Sequence, residues 1–124
     1  MMSGSSANSR QDASPIADIV RAYAQSPEIL AEIFAIFLKE APERQAALAA
    51  AVRSDDLEAA RSVAHSLANT TGTMKVSSAL ELARATESAA RAGDREALAE
   101  QSRKLIAAVD TIVTAIRSHP LAQR

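Results

Sequence analysis

A chain of 124 residues with only four prolines and three glycines has the length of one domain and can bury a modest core. Its 48% hydrophobic content includes just 2% aromatics and no cysteine, which excludes disulfides, thiolate metal sites and a cysteine nucleophile, and makes a reducing, cytoplasmic location the expectation. A net charge of −1 without basic runs argues against nucleic acid, and apolar stretches far below the roughly 20 residues of a bilayer span argue against a membrane.

Residues 1–13 are polar, lack the apolar centre of a signal peptide and read as a disordered leader. Order is expected from Ser14-Pro15, with Ser14 as cap and Pro15 in the first helical position, and a short helix to about Gln25 carries Ile16, Ile19, Val20 and Tyr23 on one stripe. A second Ser-Pro start, Ser26-Pro27, opens a long amphipathic segment in which Ile29, Leu30, Ile33, Phe34, Phe37, Leu38, Ala41, Leu48 and Val52 recur at helical spacing. Pro42 interrupts it and predicts either a kink or two abutting helices.

Asp55 and Glu58 form a capping-box pattern for the next helix, expected over residues 56–73. After a break at Lys75-Val76-Ser77, Ser78 and Glu81 repeat that pattern, and Leu80, Ala83, Glu87 and Ala90 follow along one side. Gly93 suits a left-handed helix end and Asp94 caps the last helix, whose stripe of Leu98, Leu105, Ile106, Val109, Ile112, Val113 and Ile116 stops before Pro120. Loops of two to four residues make successive long helices antiparallel neighbours. The expected fold is all-α: an up-down-up-down four-helix bundle over residues 14–118 with a short additional N-terminal helix, then a tail at 119–124. Asp55, Asp56 and Asp94 read as caps, so no metal site is expected.

The helix of residues 56–73 puts Leu57, Ala60, Ala64, Leu67, Thr71 and Met74 on one stripe. His65 falls roughly 130° from the middle of that stripe, facing solvent. Arg61, Ala68, Asn69 and Gly72 are its nearest neighbours on the helical net. Ala68 and Gly72 are small, and glycine costs about 1 kcal/mol relative to alanine inside a helix, so their presence suggests that something approaches closely. A neutral imidazole has a free lone pair on one nitrogen and can hold a phosphoryl group as a phosphoramidate, provided the approach is open and a partner supplies metal and charge stabilisation. His119, beside Pro120 near the end of the chain, carries no functional expectation.

Ala64-His65-Ser66-Leu67 resembles the A-H-x-L core of histidine-containing phosphotransfer (HPt) domains. The likeness extends to Phe37-Leu38-Lys39-Glu40-Ala41-Pro42-Glu43, similar to that family's F-L-x-E-A-P-E helix, to Asp55-Asp56-Leu57-Glu58-Ala59-Ala60-Arg61 before the histidine, and to the segment Leu82 to Gly93, together covering roughly residues 28–117. The family often has Lys three residues after the histidine, Gly at four, and Gly-Ala at ten and eleven, where this chain has Ala68, Asn69, Lys75 and Val76. What the resemblance implies is a phosphorelay carrier with His65 as phosphoacceptor and no ATP-using kinase activity. Its expected partners are receiver domains and a hybrid sensor kinase, it needs no cofactor of its own, and Mg2+ is expected in the partner receiver. Arg61 or Lys75 is then the candidate to replace the missing lysine charge, Asn69 a candidate phosphate donor, and a monomer the expected state. Two other readings compete: an HPt-shaped module that docks a receiver or kinase without accepting phosphate, which Ala68 and Asn69 favour, and a helical bundle that dimerises.

Overall fold

Helices form wherever the three-to-four residue apolar period runs, and among residues 14–123, which the computed structural model describes, no strand occurs. They are α1 (Ala17–Ala22), α2 (Pro27–Arg53), α3 (Leu57–Thr73), α4 (Ser77–Ala92) and α5 (Arg95–Arg117), followed by a 3-10 turn at Pro120–Gln123. The expectation for residues 1–13 lies outside the described part.

The local signals acted with small displacements. Helix α1 starts after Ile16, one turn into the Ser-Pro signal, and no side chain caps it. Proline at the first position does open α2, without a side-chain bond from Ser26. Pro42 lies inside a helix that continues from Pro27 to Arg53, so α2 is one helix and not two abutting ones. The cap of α3 is Asp56, whose carboxylate accepts from the Ala59 N–H at 3.1 Å, and not Asp55. Asp55 instead adopts φ 58° and accepts from Arg95 Nε at 2.7 Å, which holds its carboxyl below the usual range and ties the α2–α3 link to the start of α5. Ser78 sits inside α4 and caps nothing, since the helix begins one residue after Val76. Gly93 is left-handed at φ 71°, and Asp94 caps α5 through the Ala97 N–H, as the sequence indicates.

Four helices close a ring of contacts: α2 packs on α3 and α5, and α4 on α3 and α5. Their shared interior is Phe34, Phe37, Leu48, Leu67, Leu105, Val109, Ile112 and Ile116, all at most 2% exposed. Gln45 pins α2 to α5 by donating to the Ile106 carbonyl and to Asp110. Three buried hydroxyls, Thr71, Thr86 and Ser102, each bond back to the carbonyl four residues earlier, and no buried side-chain polar atom of the described residues lacks a partner. His119 packs its ring edgewise on Phe34, with centroids 5.2 Å apart, and its Nδ1 accepts from the Leu121 N–H, so it anchors the terminal turn.

Leu67 is fully buried on the helix that carries His65. Leu67→Ala is therefore expected to cost about 3 kcal/mol, transfer energy plus the cavity left behind, seen as a lower urea midpoint at unchanged slope.

Candidate functional site

The α3–α4 contact is lined with small side chains. Ala60, Ala64, Ala79, Ala83 and Ala90 are all at most 4% exposed, which lets two helix axes approach closely. Along this contact Gly72 faces Leu80 and His65 meets Glu87, so residue numbers fall on one helix as they rise on the other, and the pair is antiparallel. The close approach is what allows a glutamate from α4 to reach an imidazole that points off α3.

His65 is 59% exposed at the side chain, and its Nδ1 lies 3.1 Å from Oε2 of Glu87. A carboxylate only accepts, so this bond places hydrogen on Nδ1 and leaves the lone pair on Nε2. No described residue bonds to Nε2. Glu87 is only 13% exposed and also accepts from Arg91 Nη2, at 3.1 Å, one turn further along α4. The result is a ring fixed in orientation and tautomer by a half-sheltered carboxylate, with its reactive nitrogen turned to solvent.

The other sequence candidates scatter around this centre. Arg61 is one turn before His65, where Glu58 grips its guanidinium through both carboxylate oxygens. That hydrogen bonding raises the Arg61 pKa and lowers that of Glu58. Ala68 corrects the expectation of an open surface: it is 8% exposed, because it borders Ala64 and Thr71 on the buried stripe and turns toward α4. Lys75 stands ten residues beyond His65, about 15 Å along the axis at 1.5 Å per residue, in a left-handed link with φ 60°. Lys75 therefore lies outside the immediate surround of the ring.

Asn69 is exposed on the opposite flank of α3, toward α2. There it lines a shallow groove of about 190 Å³ with Ile33, Ile36, Phe37, Thr73 and Met74. Ile29 and Ile36 on that shoulder are large apolar residues 48% and 54% exposed.

Gly72 needs no glycine for the fold's sake. Its φ is not in the left-handed region, and a Cβ there would meet Leu80 at 3.9 Å, an ordinary contact. Gly72→Ala is expected to raise stability by about 0.5–1 kcal/mol from helix propensity alone, read as a higher thermal midpoint.

Glu87 is the residue that sequence reasoning passed over. Its signal was its place among Leu80, Ala83 and Ala90, an acid on an otherwise apolar stripe, where burial demands a partner.

Among the described residues no cluster of His, Asp or Glu could hold a metal ion, and no helix is long and apolar enough to cross a membrane. No curated protein and no solved structure matches the chain. The Hpt domain family does, over residues 32–119, a span that runs from α2 to the end of α5 and carries both His65 and Glu87 near its middle, and the chain belongs to that family.

Proposed function

We propose that this Hpt domain is a phosphorelay carrier in which His65 Nε2 takes a phosphoryl group from the aspartyl phosphate of one receiver domain and passes it to an aspartate of another. The observation that carries this reading is an exposed imidazole whose Nδ1–H is held by Glu87 and whose Nε2 is open. In the forward step the Nε2 lone pair forms a bond to phosphorus, the bond from phosphorus to the aspartyl oxygen breaks, and that oxygen leaves as a free carboxylate. No proton need be removed from the nucleophile, unlike a serine or cysteine. As the bond forms, the ring becomes cationic, and the Glu87 carboxylate offsets that charge through the Nδ1–H, much as the aspartate of a catalytic triad supports its imidazolium.

The rest of the chemistry falls to the partner. Phosphoryl transfer is mostly positioning and charge stabilisation, and the Mg2+ it requires belongs to the receiver. The apolar shoulder of Ile29, Ile33 and Ile36 beside Asn69 offers the receiver a docking face adjoining the acceptor ring. Gly72, which the fold does not require, leaves room for close approach on the α4 side of the helix that carries the ring. A hybrid sensor kinase, through its own receiver, fits the same face. A monomeric cytoplasmic carrier is the state that goes with this reading.

Mixing the protein with phosphorylated receivers tests it: acid-labile, base-stable label is expected on the protein. The absence of a cation at Ala68 favours a second reading, a module that docks receivers without accepting phosphate. Receiver binding that produces no label and survives His65→Ala would establish that reading in place of the first.

A further inference from the structure

We infer that Lys75 is a specificity-determining residue of the docking face, a rim cation that favours receivers presenting a carboxylate at the end of the α2–α3 groove. This rests on the reading of that groove and its apolar shoulder as the place where a receiver sits. Backbone geometry singles the residue out. Three of the described residues have φ in the left-handed region: Asp55 at 58°, Lys75 at 60° and Gly93 at 71°, each in the link that follows a long helix. Gly93 has no Cβ to clash. Asp55 is of a type that tolerates this conformation, and Arg95 holds its carboxylate. Neither reason applies to Lys75, whose exposed amine makes no hydrogen bond or ion pair among the described residues. The same chain uses glycine at the corresponding link after α4, so lysine here forgoes stability that glycine would recover.

The fold offers the lysine little in return. It follows α3, whose last turn carries no basic residue, but α4 begins at Ser77, two residues on, and the positive end of that helix opposes what the negative end of α3 would contribute. The acid that lines the groove, Glu40, is already bonded to Arg44 at 2.7 Å. What remains is position. Thr73 and Met74 both line the groove with Ile33 and Ile36, and Lys75 is the next residue of the chain, so it stands at the groove's end. A standard interface covers about 800 Å² per partner, a disc of roughly 16 Å radius. Lys75 lies about 15 Å along the α3 axis from His65, so a receiver that covers both the ring and the groove reaches it. An exposed cation at such a rim alters encounter rate and salt dependence, and it discriminates between partners by their charge.

The test measures stability and transfer on the same variants, using the receiver of the source organism that labels wild type fastest. Lys75→Gly should raise the thermal midpoint by a few degrees. It should also raise the receiver concentration for half-maximal transfer about threefold at low salt, with the saturating rate unchanged. Lys75→Asn, which also tolerates the left-handed region, should show the same transfer defect, Lys75→Arg none, and Lys75→Glu a defect of about tenfold. The gap between wild type and Lys75→Gly should close in about 0.5 M salt. Phosphoramidate, a small donor that needs no docking, should label every variant at the wild-type rate: Nε2 bonds to phosphorus, the donor's phosphorus–nitrogen bond breaks, and ammonia leaves. A Lys75→Gly protein less stable than wild type overturns the inference, since the lysine then serves the end of α3. So does an unchanged half-maximal concentration, or a defect that persists at high salt or in Lys75→Arg, with His65 still the acceptor. Slower labelling of Lys75→Gly by phosphoramidate overturns it as well, because the lysine would then act on the ring. If no receiver labels wild type, the relay reading fails and this inference fails with it.

Discussion

His65→Gln is expected to abolish phosphoryl labelling while leaving the fold intact. The imidazole is mostly exposed and contributes nothing to the buried stripe of α3, so its removal leaves no cavity. Glutamine keeps a side-chain amide that can donate to Glu87, so the half-sheltered carboxylate retains a partner. What disappears is the nitrogen lone pair, and an amide nitrogen is no nucleophile. Stability should stay within about 0.5 kcal/mol of wild type, the range for surface changes away from special features. Circular dichroism melting and receiver labelling on the same samples give both answers at once. Label that persists in the variant would place the acceptor elsewhere and remove the basis for the proposed relay, whereas loss of label with loss of fold would leave the chemistry unaddressed and call for His65→Asn as the second variant.

The helices of this fold were legible because each one carries its own evidence. Apolar spacing places Phe34, Phe37, Leu67 and Ile112 inward without reference to any other segment, and Gly93-Asp94 encodes both a stop and a start in two residues. His65 was legible for the same reason: its angle from the stripe is fixed by α3 alone. Features that depend on a second helix were not. Ala68 sits at the boundary of the stripe, and whether a boundary position is covered depends on how closely α4 approaches, which the alanines of both helices decide jointly. The partnership of His65 with Glu87 spans 22 residues and two helices, and no spacing rule within α3 reaches across that gap. The capping signals slipped for a related reason. Asp55 and Asp56 are equivalent as caps in the sequence, and the long-range bond from Arg95 takes one of them and leaves the other for the helix.

Glu87→Ala is expected to slow transfer through His65 by roughly 10- to 100-fold, the range seen when the outer partner of a functional histidine is removed from other sites. Three losses combine in that one change. The ring gains rotational freedom, Nδ1 no longer has a reason to hold the hydrogen, and the cation that forms during attack loses its counter-charge. Arg91 is released as well, since its guanidinium donates to the Glu87 carboxylate. Glu87→Gln separates these contributions. Its amide oxygen can still accept from Nδ1–H, so tautomer and orientation survive while the charge is gone, and an intermediate rate is expected. Ring 15N shifts supply the independent readout: hydrogen on Nδ1 in wild type and Glu87→Gln, a mixture of tautomers in Glu87→Ala. Unchanged rates and unchanged shifts in Glu87→Ala would mean that the 3.1 Å contact is incidental and that exposure alone makes His65 reactive. The graded series, with charge and hydrogen bond removed separately, distinguishes a nucleophile that is held ready from one that is merely accessible.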